Sequence, residues 1–404
     1  MILTDKQKNE IISFSVELVR HSGDSGNERD TADCVRRKME ALGYDDVLVD
    51  EYGSVLGILK GTVPGPTLLF DGHMDVVPVR EKDKWEYEPF GAEISEGRIW
   101  GRGTTDMKGA LAAMVCAASY LKRTEFTGKI LVSASVAEEI LIGTALDHIL
   151  KKNPVDAVVI GEPTGLKLGN AEKGRASIEM ISHGTVAHSS RPDLGDNAVY
   201  RMMDAIERIR ALPRRSHPLL GDEVIELVEI SSLPSPGNGS IPGTCHAVWE
   251  CRLLPGETKE GFIERWRTAL QGIDRTELKI ADYELTSYTG KTMRMEDFHP
   301  GWLSEEIDDG FTALVSESVR ECGRTVEFYA APYGCNALVS AAKRNIPTVI
   351  LGPGDIALAH KPNENILIDD LLAAAGIYGA ICKKCQHCSL ELKNPQSDHH
   401  KSTL

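Results

Sequence analysis

No run of about 18 apolar residues occurs in the 404-residue chain, so no membrane-spanning helix is expected. The opening residues, MILTDKQKNE, hold no apolar stretch of leader length, so no signal peptide is expected. Basic charge is in deficit: 45 Lys and Arg stand against 60 Asp and Glu, a net charge of -15. A nucleic acid or an anionic membrane would repel such a surface, and neither is an expected partner. The nine cysteines are odd in number and six are scattered singly, which does not make a disulfide framework. Reduced thiols in a cytoplasmic protein fit better. Internal repeats and low-complexity tracts are missing too.

What is present is a globular composition, 42% hydrophobic and 26% charged, in a chain long enough for two domains. Helical periodicity covers 4–22 and 27–42, and short β-rich runs follow at 46–50, 54–60 and 67–71. A helix is expected over 108–122, a strand over 129–137, a helix over 142–150 and a strand over 155–160. Such alternation predicts crossover units and a mostly parallel sheet with helices on both faces. Segment 175–292 changes texture, with strands at 175–183, 223–231, 245–254 and 277–286 and helices at 195–211 and 257–271. That order predicts an inserted α+β domain of ferredoxin-like type, an antiparallel sheet with helices on one face. Helix 304–322, strand 347–351 and helix 366–381 then resume the first texture. The expected division is 1–174 with 293–404, and 175–292 inserted. The tail after about 383 is polar and expected to fray.

Chemistry-bearing residues stand at the predicted strand ends. LLFDGHMDVVP places His73 and Asp75 on one side of an extended chain. A metal-ligating imidazole gives its second ring proton to an acceptor such as a carboxylate, so the pair fits ligand and orienter. GRGTTDMKG holds Asp106 in a glycine-rich turn before a helix, as a bridging carboxylate or as a helix cap. SVAEEI puts Glu138 and Glu139 at a strand end, where neighbours point to opposite sides, one for metal and one for base, or else a solvated acidic pair. Glu162 ends the strand in VVIGEPTG, and His360 lies in the loop GPGDIALAHKPNENI. Each signal is weak singly; five potential ligands, all at strand ends or the loops beyond, rarely arise by accident. Imidazole and carboxylate donors without thiolates suit zinc, with cobalt or manganese as substitutes. A pair of such ions about 3.5–4 Å apart can share a hydroxide and polarise a carbonyl.

The ordered set GHMDVVP, GRGTTDMKG, AEE, GEPT and AHKPNEN resembles the co-catalytic zinc exopeptidases, the family of acetylornithine deacetylase, succinyl-diaminopimelate desuccinylase, aminoacylase and glutamate carboxypeptidase. The likeness spans about residues 10–380, and within the family it looks nearest to a bacterial hydrolase subgroup linked to selenium metabolism. The resemblance implies two zinc ions per subunit. His73 and Glu162 would hold one, Glu139 and His360 the other, and Asp106 would bridge them from a turn with a cis peptide after the aspartate. Glu138 would be the general base and Asp75 would steady His73. GTVAHSS resembles the lid motif whose histidine reaches across a homodimer to the oxyanion, with His188 at that position. Asn238 in GNGSIPG and Arg252 in ECRLLPGET match residues that grip a substrate carboxylate, with a solvated arginine as the alternative.

The chain also departs from the family. Ala137 stands where many members have an aspartate. PYGCNAL carries Asn336 in place of an aspartate and Cys335 in place of a small hydroxyl residue, in a loop expected to line the substrate pocket. The tail CKKCQHC, with His387, offers three thiols for a metal but no fourth ligand at standard spacing. The expected activity is hydrolysis of the amide bond of a small N-acyl amino acid by a di-zinc-bound hydroxide. A dipeptidase or carboxypeptidase on the same centre, or a silent dimeric scaffold, are the alternatives.

Overall fold

The computed structural model describes residues 1–307 and 310–384. The tail thiols Cys385 and Cys388 and residues His387, His399 and His400 lie outside that range. Among the described residues no helix is long and apolar enough to cross a membrane.

The N-terminal helix α1 (Asp5–Val19) starts at a capping box, Thr4 and Gln7 each satisfying the other's backbone N–H. Helix α2 (Arg29–Ala41) follows. Then come β1 (Asp46–Val49), β2 (Val55–Lys60), β3 (Thr67–His73), helix α3 (Gly109–Ser119), β4 (Lys129–Ser135), helix α4 (Thr144–Lys152), β5 (Ala157–Pro163) and β6 (Leu168–Glu172). Beyond the insertion the same unit adds helix 311–321, β-residues 302–303 and 328–331, strand 348–352 and helix 368–384. The large sheet runs β1-β2-β4-β3-β5, then strand 348–352, then β6, with β4, β3, β5 and strand 348–352 mutually parallel. Helix α3 is apolar all round because it is buried all round, wedged between α1, helix 368–384 and the sheet. One face of the sheet packs on α1, α2, α3 and helix 368–384, the other on α4 and residues 335–346.

The inserted unit is built on β7 (Gly174–His183), helix α5 (Ala198–Arg210), β8 (Val224–Leu233), β9 (Thr244–Leu253), helix α6 (Lys259–Ala269) and β10 (Thr276–Ile280), in sheet order β8-β9-β7-β10, all antiparallel. In β9, Cys245, Ala247, Trp249, Cys251 and Leu253 point inward at period two. Ala198, Met202, Ala205 and Ile209 of α5 meet them at helical spacing, and Asn197 caps that helix.

Two expected elements break in two. The strand expected over 277–286 stops at Ile280 and restarts as β11 (Asp282–Thr286), which pairs with β12 (Thr292–Glu296) as a hairpin. The apolar phase slips there, from Leu278 and Ile280 to Tyr283 and Leu285, around buried Ala281. The hairpin lays Met293 and Met295 on the core of the larger sheet. The helix expected over 304–322 is a short turn, Ser304–Ile307, and then helix 311–321, which starts after Gly310 at φ 113°.

Candidate metal centre

Adjacent parallel strands open their carboxyl ends on one edge, where sheets of this kind take ligands. His73 closes β3, Glu162 is next to last in β5, Glu138 and Glu139 follow β4, and His360 lies in the loop after strand 348–352. Asp106 sits in the turn before α3 with φ -122° and ψ 94°, and its peptide bond to Met107 is cis. It does not cap α3, whose N-cap is Lys108.

The five donors meet. His73 Nε2 is 3.0 Å from Asp106 Oδ1 and 3.7 Å from Glu162 Oε1. His360 Nε2 is 3.1 Å from Asp106 Oδ2 and 3.1 Å from Glu139 Oε2. One carboxylate thus divides its oxygens between two histidines, each with a glutamate of its own. Glu138 joins the first group: its carboxylate, His73 and Glu162 offer atoms within 4.8 Å of one another. Asp106, Glu138, Glu139, Glu162 and His360 line a cleft with a volume of about 170 Å³.

Glu138 and Glu139 do not point to opposite sides of a strand, as expected. β4 ends at Ser135, Ala137 turns the chain at φ 58°, and both glutamates line the same cleft. Asp75 holds that turn. Its carboxylate accepts the backbone N–H groups of Glu138 and Glu139, each at 3.1 Å, and the Ser25 hydroxyl at 2.6 Å. His73 Nδ1 faces the Asp75 carbonyl oxygen at 2.9 Å and its carboxylate at 3.5 Å, so Nδ1 carries a proton and Nε2 is turned to Asp106 and Glu162.

Four carboxyl groups crowd the cleft, against Arg175, Arg252 and His360. Burial pushes the carboxyls of Glu138, Glu139 and Glu162 up, and their mutual repulsion adds to it. Burial also opposes ionisation of Asp106, but hydrogen bonds from His360 and His73 outweigh it and hold Asp106 well below the carboxylate range. Hydrogen bonds to Asp106 and Glu139 push His360 up to about 10. Two imidazoles amid buried carboxylates, with no thiolate in the set, fit a pair of divalent cations of the zinc, cobalt or manganese kind.

The substrate-side expectations divide. Arg252 lines the cleft, and among the described residues its guanidinium makes long contacts, 3.4 Å to the Cys251 carbonyl oxygen and 3.6 Å to Glu250. Arg175, directly opposite it on β7, lines the cleft as well and was not expected. Asp297 accepts from its Nε at 3.1 Å. Asn336 is corrected. Tyr333 and Gly334 of its loop face the cleft, but Asn336 is buried and fully engaged: it donates to Asp71 Oδ2 at 2.7 Å and to Ser135 Oγ at 3.2 Å, and accepts from Gly143 N at 2.8 Å. Cys335 is buried beside Glu172. His188 and Asn238 sit on neighbouring exposed loops of the inserted unit, joined where Ser189 N donates to Gly239 O at 2.7 Å, and neither lines the cleft.

Glu364, in the segment AHKPNEN, is a further residue of the centre that was not expected. Fully buried, it accepts the backbone N–H groups of Gly103, Thr105 and Asp106 at 3.0, 3.0 and 3.1 Å, so it shapes the turn that presents Asp106.

A family model described as Peptidase family M20/M25/M40 matches residues 69–384. Succinyl-diaminopimelate desuccinylase of Parvibaculum lavamentivorans is 30% identical over 368 residues, covering 87% of this chain and 86% of that protein. Protein YgeY of Escherichia coli (strain K12) is 29% identical over 394 residues, covering 94% and 96%. Among solved structures, the YXEP protein of Bacillus subtilis, described as a dinuclear metal binding peptidase from the M20 family, matches with a TM-score of 0.69 at 16% identity, covering 94% of this chain and 98% of that one.

Proposed function

The chain belongs to peptidase family M20/M25/M40, a family of metal-dependent hydrolases of amide and peptide bonds, and on that premise we propose that it hydrolyses the amide of a small N-acyl amino acid at a two-zinc centre. One observation carries the reading: the oxygens of Asp106 are shared between His73 and His360, each backed by its own glutamate. His73 and Glu162 would hold one ion, His360 and Glu139 the other, and Asp106 both. What zinc supplies when bound is Lewis acidity, which polarises the scissile carbonyl and brings the pKa of water near 7.

The chain's own groups do the rest. Glu138, buried at the cleft and raised above the usual carboxylate range, takes the proton of the attacking water and returns it to the leaving amine. Asp75 fixes the backbone that carries it. Arg252 and Arg175 hold the substrate carboxylate, a role that suits guanidinium groups lining the cleft. In a homodimer, His188 would reach the neighbouring site's oxyanion. The unpaired edge of β8, with Val228, Ile230 and Leu233 exposed, supports self-association. The dinuclear centre ascribed to the Bacillus subtilis protein and the desuccinylase relative support the metal and the substrate class.

The test is zinc content and amine release from a panel of N-acetyl and N-succinyl amino acids, for wild type and Glu138→Ala. The expected result is zinc retained and turnover reduced about 10²–10⁴-fold. Wild-type turnover in Glu138→Ala would remove the base from the scheme.

A further inference from the structure

Glu28 occupies the N-cap position of α2, where a short side chain would bond the helix's first N–H groups. Its side chain makes no such bond. It turns instead across 109 residues of sequence, and Oε1 accepts the backbone N–H of Ala137 at 3.0 Å. Glu28 is fully buried, and its Oε2 has no well-formed hydrogen bond among the described residues, although the N–H groups of Gly26 and Glu28 lie near the carboxylate. A buried carboxyl with an unmatched oxygen is a costly way to fill space, so its one firm bond calls for a reason.

That bond falls on a special residue. Ala137 holds φ 58°, a conformation L side chains rarely adopt, and it is the pivot that swings Glu138 and Glu139 into the cleft. Three consecutive N–H groups are therefore held by two buried carboxylates, Ala137 by Glu28 and the next two by Asp75. The loop that carries Glu28 braces the second carboxylate too, because Ser25 donates to Asp75 and Val76 N donates to Gly23 O at 3.2 Å.

We propose that Glu28 is a positioning residue for the Glu138–Glu139 pair, setting the angle at which the base and its neighbouring ligand enter the cleft. The inference rests on the reading of Glu138 as base and Glu139 as ligand. It does not make Glu28 a catalytic residue, since Glu28 acts through the backbone of Ala137.

Two conservative variants test it. Glu28→Gln keeps an oxygen in reach of Ala137 and loses the charge. Glu28→Asp keeps the charge, withdraws the oxygen by one methylene, and gains a side chain of the right length to cap α2. The readouts are zinc affinity by competition with a chromogenic chelator, kcat and KM on N-acetyl and N-succinyl amino acids, and the melting temperature. We expect Glu28→Asp to melt at or above wild type yet lose about 10–100-fold in zinc affinity and in kcat with KM little changed, and Glu28→Gln to stay within about threefold on both. Wild-type zinc affinity and kcat in Glu28→Asp would overturn the proposal, as would equal losses in the two variants that merely track their melting temperatures. Glu138→Ala run alongside separates the levels. If it is inactive while Glu28→Asp is normal, only the positioning role fails; if it is fully active, or wild type binds no zinc, the parent reading fails and takes this one with it.

Discussion

Glu364 Oε1 accepts the backbone N–H of Asp106 at 3.1 Å, so a carboxylate outside the proposed ligand set helps fix where the Asp106 carboxylate stands. Its other oxygen pairs with Arg102, which is itself buried. Glu364→Ala would strand that guanidinium and three backbone N–H groups together. We expect a loss of about 3–5 kcal/mol in stability, the usual result of removing one partner of a buried pair, together with weaker zinc binding. Denaturant unfolding and chelator competition measure the two effects. Unchanged zinc affinity in the folded variant would show that the Asp106 turn keeps its shape without Glu364.

Asn336 belongs to the buried framework behind the cleft. Its amide faces Asp71, whose carboxyl burial pushes up despite hydrogen bonds from Ser133 and Asn336. Asn336→Asp would set a second buried carboxylate against the first, and one of the two would have to hold a proton. The expected cost is roughly 3 kcal/mol near neutral pH, growing as pH rises and that proton becomes harder to keep. The KM of the folded fraction should be unchanged, because Asn336 does not face the cleft. A large rise in KM without loss of stability would return Asn336 to the substrate site.

How far the sequence reveals this molecule depends on range. The candidate ligands His73, Glu162 and Glu139 are legible because each stands at or just beyond the end of an apolar strand, and strand ends of a parallel sheet converge by topology alone; Asp106, in the turn before α3, is marked only by its glycine-rich motif. The alternation in β9 and the helical spacing in α5 likewise mark the inserted unit. What stayed hidden are contacts between distant segments. Nothing local in Asn336 says that its partner is Asp71, and nothing in Glu364 says that it takes the N–H groups of residues 103–106. Arg175 could have been found, since it stands on a strand that pairs with the one carrying Arg252, but the pairing register is not written in either strand. The break at Ala281 is written in the sequence as a change of apolar phase, from Leu278 and Ile280 to Tyr283 and Leu285.

Arg252 should act on binding more than on turnover. Its guanidinium is half-buried at the cleft, and desolvation together with the nearby Arg175 lowers its pKa. Hydrogen bonds to charged groups contribute about 1.5–3 kcal/mol, so Arg252→Ala should raise KM roughly 10–100-fold on N-acyl amino acids and change kcat less. The same substitution should matter little for an ester or amide of that substrate with its carboxylate blocked. An equal loss on both would place the carboxylate elsewhere.

The proposed homodimer makes a separate demand on His188, which lies outside the cleft of its own chain. If it donates to the partner's oxyanion, His188→Ala should cost about 2.7–4 kcal/mol in transition-state binding. Mixing His188→Ala subunits with Glu138→Ala subunits should then restore part of the activity, because each heterodimer holds one complete composite site. No recovery in heterodimers of demonstrated composition would leave His188 without that role.

Glu172 sets a pH dependence that can be worked out in sign. It is fully buried, accepts the Trp302 indole N–H at 2.7 Å, and burial pushes its carboxyl from 4.5 up to about 8. Between those two values the folded chain keeps a proton that the unfolded chain has released. Stability is therefore fullest below the lower value and falls as pH rises through the upper one, by an amount on the order of a few kcal/mol. Glu28 and Glu364, each raised to about 7 chiefly by burial, tilt the curve the same way. Glu172→Gln keeps an acceptor for Trp302 but cannot ionise. Comparing melting temperatures of the two proteins from about pH 6 to about pH 8.5 cancels the contribution of Glu28 and Glu364, and the wild type should fall more steeply. Parallel curves would mean that Glu172 ionises near its ordinary value, and that water reaches a carboxyl which the packing around Trp302 and Cys335 otherwise seals off.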